Sequence, residues 1–317
     1  MSRESSNTCQ YKRAIVTFID ILGFKKLVET ESEKTITDLL ELFHMTFNEC
    51  TMIRVKSQNT EDGTIKTETS TVPQILHFSD SIVRISYPDY FGDVRAEVLD
   101  DMYEFNKMTM EISCLSHIQE TLLCKGILIR GGMTIGDIVF DSKKDILFGP
   151  ALNRAYYLEN TISHLPRIII DPSIVNKASF YFGGLVNSGL LCLDDEMTTY
   201  IEYFGIQTTN KYVYYLRKQR KFIEKLDLSY FDDSLESEFS KLKQKKEVLQ
   251  QGLDMYVESD NIQRKYIWAI LKHNESVETF FSLYLDIKPY ITYLPTEKAS
   301  YKVDTRDNYI FSYHRGK

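Results

Sequence analysis

The sequence predicts an α+β fold, with a central, mainly antiparallel sheet and helices, followed by a C-terminal helical extension. Three observations carry this. Short β-branched apolar runs, such as Ala14–Ile19, Ile127–Ile129 and Arg167–Ile170, read as buried strands. Between them lie stretches whose apolar residues recur at helical spacing. Beyond Gly205 the chain becomes charged and aromatic-rich, with no comparable strand run.

Composition bounds the function. A chain of 317 residues with 43% hydrophobic and 13% aromatic residues can bury a sizeable core. Lys and Arg number 38 against 45 Asp and Glu, a net charge of −7. Such a chain is a poor candidate for gripping polymeric nucleic acid, although a nucleotide whose phosphates are met by metal ions remains open to it. Cys9, Cys50, Cys114, Cys124 and Cys192 are scattered and never form a C-x-x-C pair, which argues against a zinc cluster or a disulfide framework. Residues Met1 to Gln10 are polar, and no uncharged stretch approaches the length of a membrane span, so a cytoplasmic protein without membrane contact is expected.

The first strand runs through Phe18-Ile19-Asp20 and turns on Gly23. A carboxylate at the end of a buried strand either caps the next helix or faces a cation, because burying it unpaired is costly. After Gly23 the amides of Ile21, Leu22, Gly23 and Phe24 are expected to curl toward phosphate oxygens, as in anion-binding nests. Ile36, Leu39, Leu40, Phe43 and Phe47 then mark an amphipathic helix, and the polar residues 57–70 a mobile loop with an Asp62-Gly63 turn. Ile75-Leu76-His77-Phe78 and Ile82-Val83 flank Ser79-Asp80-Ser81, a hairpin whose tip brings Asp80 beside Asp20 if it lies against the first strand. Two strand-end carboxylates make a hard oxygen site suited to Mg²⁺ or Mn²⁺.

From about Asp93 to Leu123 one helical face is apolar, and its methionines read as core filler. Gly126 ends that helix. Ile127 to Gly136, with Arg130 at the head of the glycines, reads as a strand with close backbone approach. Ile138–Phe140 and Ile146–Phe148 form a hairpin, and Pro150 opens a helix running to about Asn160. The order β-α-β-β-α-β-β-α-β that results suggests paired βαβ units with helices on one face, as in ferredoxin-like folds. Lys211 to about Leu285 reads as helical. Its clusters Arg217, Lys218, Arg220, Lys221 and Lys241, Lys243, Lys245, Lys246 read as solvated faces, and Trp268 as the residue that packs the extension onto the sheet. His77, His117 and His164, on different elements, read as packed or surface histidines.

No Walker A run, H-E-x-x-H or G-x-S-x-G is present, and Gly131-Gly132 is followed by Met133-Thr134 rather than by an acidic pair. The ordered set Phe18 to Phe24, Phe78-Ser79-Asp80, Arg130-Gly131-Gly132-Met133-Thr134-Ile135-Gly136 and Gly149-Pro150-Ala151-Leu152-Asn153 resembles the class III nucleotidyl cyclases. In detail it is most similar to the pyrimidine nucleotide cyclases of bacterial anti-phage (Pycsar) systems. The resemblance spans residues 12–205, implying a class III cyclase catalytic domain there and leaving 206–317 as the mainly helical extension.

The resemblance implies that Asp20 and Asp80, with the Ile21 carbonyl, hold two divalent cations, Mn²⁺ or Mg²⁺. Asn153 would orient the ribose from across a homodimer interface, giving composite active sites. Tyr157 stands where the family has an Arg, and Arg130, Arg154 or Arg167 could compensate, Arg130 being best placed. Leu76 and Ile146 occupy the family's base-reading positions and are apolar, with Asp145 in register if the hairpin slips by one. The implied reaction converts a pyrimidine nucleoside triphosphate, UTP favoured or CTP, to its 3′,5′-cyclic monophosphate and pyrophosphate, read by a cyclic-nucleotide-sensing effector. The alternatives are a purine cyclase, or a degenerate cyclase fold that binds nucleotide or a partner without turnover.

Overall fold

The computed structural model describes residues 10–49, 55–59, 65–69, 73–88, 97–204, 233–256, 259–281, 288–292, 303–304 and 308–309. Strand β1 (Lys12–Ile21) lies inside the sheet, flanked by β5 (Ser81–Ser86) and β6 (Ile129–Asp141). The strand order is β4-β5-β1-β6-β8-β10-β9, with β4 at Gln74–Phe78, β8 at Ile168–Ile170, β9 at Leu191–Leu193 and β10 at Thr199–Ile201. Strand β7 (Ile146–Phe148) pairs with the far end of β6. All pairings are antiparallel except β6 with β8. The fold is therefore α+β with a mostly antiparallel sheet, as the sequence predicts.

Both faces of β1 are buried, which is why it reads as an unbroken apolar run. Its residues alternate across the sheet. Ile15, Ile19 and Ile21 share a core with Phe43 and Phe47 of α2 (Glu33–Glu49) and with Met108, Ile112, Leu115 and Ile118 of α3 (Glu97–Cys124). Ala14 and Val16 face the other way, onto Ala151 and Ala155 of α4 (Pro150–Tyr157). The expectation of helices on one face is thus corrected, because α4 lies on the opposite face from α2 and α3. Glycines in β6 make this possible. A Cβ on Gly132 would lie 2.4 Å from Leu158 Cβ and 2.6 Å from Ala155 O, and one on Gly136 would lie 3.3 Å from Ala151 Cβ. Only glycine lets the helix sit this close to the strand.

The polar stretch expected as a loop contains two short strands, β2 (Val55–Asn59) and β3 (Ile65–Thr69), paired antiparallel. Cross-strand backbone bonds need no apolar alternation, so periodicity could not announce them. Residues 93–96 of the expected long helix and the basic cluster around Arg217 and Lys221 lie outside the described residues.

After β8 come α5 (Pro172–Lys177) and α6 (Ser179–Asn187), and the extension contributes α7 (Asp233–Met255) and α8 (Asp260–Phe281). Leu249, Leu253, Ile267 and Trp268 share a core with Leu158, Ile169, Tyr200, Tyr203 and Phe204. The Trp268 ring lies 6.0 Å from Tyr200 and 5.9 Å from Phe204, centroid to centroid, so it does join the extension to the sheet. No helix among the described residues is long and apolar enough to cross a membrane.

Candidate active site

Alternation places Asp20 on the α4 face, at the end of β1, where Ser81 of β5 and Arg130 of β6 stand opposite it. The β4–β5 turn closes through Ser79, a non-glycine residue with φ 58. The Ile21 N–H donates to Asp80 O at 3.1 Å, which fastens the tip to β1. The two carboxylates are close enough for the Asp80 charge to act on Asp20. The expected convergence of these two residues is met.

Asp20 is weakly satisfied by its own protein. Ser81 Oγ donates to Oδ1 at 3.4 Å, and Arg130 Nε and Nη2 each donate to Oδ2 at 3.4 Å. Burial is the largest influence on its acidity and pushes the carboxyl above its usual range. Arg130 pulls it back, and the Asp80 charge pushes it up again. Helix capping is not its role. The following helix, α1 (Phe24–Thr30), is preceded by Gly23 at φ 81, with no side-chain cap.

The nest after Asp20 is narrower than expected. The Ile21 amide donates to Asp80 O, and the Leu22 amide donates to Leu128 O at 2.9 Å, so neither is available to phosphate. Gly23 and Phe24 remain. The reason is tertiary, since β1 pairs to its last residue on both sides before the chain turns.

Arg130 also faces Glu159, which lies 2% exposed in the π-helical turn Leu158–Ile162 that continues α4. The guanidinium Nε is 2.7 Å from Glu159 Oε1. This is a charge contact rather than an aligned hydrogen bond, because Oε1 has no hydrogen-bond partner among the described residues. Burial, opposed by Arg130 and reinforced by Asp20 and Asp80, pushes the Glu159 carboxyl up to about 7. Nothing in the sequence singles Glu159 out, because Leu158-Glu159-Asn160 reads as an ordinary helix end.

The three candidate arginines separate clearly. Arg154 donates from Nε and Nη2 to Asp171 at 2.9 and 2.7 Å, and Arg167 Nη1 is 2.8 Å from Asp194. Of the three, Arg130 is the one paired with Asp20. Asn153 is exposed on α4, and Tyr157 stands one turn further on, 46% exposed, with the Arg154 guanidinium 5.4 Å above its ring. Leu76 is half-buried on β4 opposite Val83, against the core beneath α4. Ile146 is opposite Asp141 on β6. From Arg130 to Asp141 the strand runs roughly 35 Å, so one chain does not bring Ile146 to Asp20. His77 lies against His44 with the rings tilted and 4.1 Å between centroids, and burial holds it down at about 4.

The donor set fits a magnesium-type cation. Two carboxylates and a strand-end carbonyl are hard oxygens, and such ions keep room for water and phosphate oxygens. Among the described residues no group of three or more His, Cys, Asp and Glu side chains is arranged to hold a metal, so any further ligands would come from substrate or solvent.

No protein-family model matches the chain, and no curated protein matches it. Among solved structures, it is similar to the monomeric guanylyl cyclase domain of the RhoGC fusion protein from the aquatic fungus Blastocladiella emersonii, at 16% identity over 60% of this chain and 95% of that one, TM-score 0.37. It is similar to a bacterial light-regulated adenylyl cyclase at 14% identity over 64% of this chain and 98% of that one, TM-score 0.34. It is also similar to an adenylate/guanylate cyclase/hydrolase from Silicibacter pomeroyi, at 17% identity over 61% of this chain and 95% of that one, TM-score 0.27. Likeness this distant carries no functional inference.

Proposed function

We infer that the chain is a class III nucleotidyl cyclase that converts a pyrimidine nucleoside triphosphate to its 3′,5′-cyclic monophosphate and pyrophosphate. The observation that carries this reading is the meeting of Asp20 and Asp80 at adjoining strand ends, with Asp20 held, among the described residues, only by contacts of 3.4 Å. Mg²⁺ or Mn²⁺ ions bound by Asp20, Asp80 and the Ile21 carbonyl would supply the charge that favours attack of the ribose 3′-oxygen on the α-phosphorus. In that reaction the 3′-O–P bond forms, the bond to the pyrophosphate oxygen breaks, and the hydroxyl proton is released. The Gly23 and Phe24 amides would be the ones left to meet the phosphates. Arg130, beside Asp20, adds positive charge where the family's Arg is replaced by Tyr157.

The base assignment rests on Leu76 and Ile146. A pocket built to hydrogen-bond a purine edge loses that discrimination when both readers are aliphatic. UTP is favoured over CTP, and a signalling role in anti-phage defence through a cyclic-nucleotide effector follows the same resemblance. The catalytic unit is a homodimer of residues 12–205, with α7 and α8 of the extension 206–317 packed against its sheet. Two features support the pairing. Ile146 and the exposed Asn153 belong to a second copy's site if the copies pack face to face. The exposed Phe78, Phe148, Tyr156 and Tyr157 give that pairing apolar surface to cover.

A second reading, nucleotide binding without turnover, is favoured by one observation: Arg154 and Arg167 are committed to Asp171 and Asp194 while Tyr157 fills the family's Arg position. One assay separates the readings. Full-length protein with Mn²⁺ and each of the four common ribonucleoside triphosphates should release cyclic monophosphate and pyrophosphate fastest from UTP, then CTP. Faster turnover of ATP or GTP makes the enzyme a purine cyclase, and nucleotide binding with no product establishes the second reading. Shared sites are tested by mixing inactive Asp20→Asn and Asn153→Ala chains, which should regain part of the activity once mixed dimers form.

A further inference from the structure

Arg130 stands between two carboxylates and is not shared equally. Its Nε is 2.7 Å from Glu159 Oε1, whereas both of its contacts with Asp20 Oδ2 are 3.4 Å. Glu159 is buried in a π-helical turn, a geometry that is rare and concentrated at functional sites. Its position is fixed from several sides. Leu158 on one side of it seats on Gly132, and the charge of Lys265 on α8 also acts on its carboxylate. Charges therefore alternate from Lys265 through Glu159 and Arg130 to Asp20, with Asp80 beyond.

The consequence is competition at one oxygen. A guanidinium forks readily onto a carboxylate, and an Arg fully seated on Asp20 would occupy the oxygen that a divalent cation needs. An Arg drawn onto a second, buried carboxylate leaves that oxygen accessible and keeps its charge nearby. Partners of this kind tune metal sites without touching the metal. We propose that Glu159 is a positioning residue that draws Arg130 off Asp20 and keeps Asp20 open to a divalent cation. This rests on the metal-binding reading of Asp20 and Asp80.

The test is Mn²⁺ binding by the full-length protein without nucleotide, read from the electron paramagnetic resonance signal of free Mn²⁺. It is run at about pH 8, where Glu159 is charged. Glu159→Gln keeps the shape and removes the charge. It should weaken Mn²⁺ binding about tenfold, the scale of one charge contact at partial burial. Adding Arg130→Gln removes the competitor and should bring affinity back to within about threefold of wild type. Glu159→Asp, which keeps the charge on a shorter arm, should fall between wild type and Glu159→Gln, and it serves if the Gln variant does not fold. A folded Glu159→Gln protein with wild-type affinity, or a double variant that is not restored, overturns the proposal. If Asp20→Asn abolishes Mn²⁺ binding and Glu159→Gln leaves it intact, only the positioning role fails. If wild-type protein binds no Mn²⁺, the metal reading fails and this proposal fails with it.

Discussion

Asp20 and Asp171 each close a buried apolar strand on the α4 face of the sheet, and they are met in opposite ways. Asp171 accepts from Thr134 Oγ1 at 2.8 Å, from Arg154 at 2.7 and 2.9 Å, and from the Ser173 amide at 3.1 Å as the N-cap of α5 (Pro172–Lys177). Those hydrogen bonds outweigh its burial and hold the carboxyl down at about 2. Asp20 has long contacts, a like charge beside it and an arginine that lies closer to another acid, and its carboxyl is pushed up. A carboxylate that the protein satisfies stabilises the fold. One left under-satisfied beside a second carboxylate costs stability unless something binds to it.

The largest effect expected from this comparison is on turnover. Asp80→Asn or Asp20→Asn should cut nucleotide cyclisation with Mn²⁺ by at least about a hundredfold. Their urea midpoints should equal or exceed wild type, since each removes one of two facing like charges. A folded, fully active Asp80→Asn protein would place Asp80 with Asp171 as a structural residue and break the contrast.

Stability should move at the other carboxylate. Asp171→Asn removes the charge that answers Arg154 and should cost about 2 kcal/mol in urea denaturation. The folded fraction should keep its turnover. Unchanged stability would mean that the Asp171 hydrogen bonds carry no net free energy.

The pH dependence sharpens the contrast with a smaller effect. Asp171, lowered from 3.8 to about 2, contributes stability that is present above its unfolded value and lost as pH falls through that window. Glu159, raised from 4.5 to about 7, behaves oppositely: its contribution is complete below 4.5 and is lost as pH rises to about 7. Measured at about pH 4 and pH 8, Glu159→Gln should match wild type at the acid end and be the more stable protein at the alkaline end, on the order of 1–2 kcal/mol. A difference of the same size at both ends would show that the Glu159 carboxyl titrates alike in the folded and unfolded protein and is not pushed up by burial.

Much of the fold was legible because burial writes itself into periodicity. The alternating faces of β1, the stripe of α3 and the N1 proline of α4 are local patterns with local causes. The β2–β3 hairpin was not legible, since polar strands held by backbone bonds leave no apolar signature. At the site, Asp20 and Asp80 could be picked out because a charge at the end of an apolar strand is conspicuous. Glu159 could not, because a glutamate near a helix end is common and only packing against Gly132 buries it.

By itself, then, the sequence determined β1, the β4–β5 hairpin, β6, the helices α2, α3 and α4, and the two carboxylates that end β1 and tip that hairpin, since residue type and spacing along the chain suffice for these. The tertiary structure alone decided which strand-end carboxylate is satisfied, which amides after Asp20 stay available and which acid holds Arg130. Those outcomes depend on partners brought from positions distant in the chain, such as Asp20 and Arg130 or Thr134 and Asp171. Their distances are set by how β6 pairs with β1 on one side and with β8 on the other.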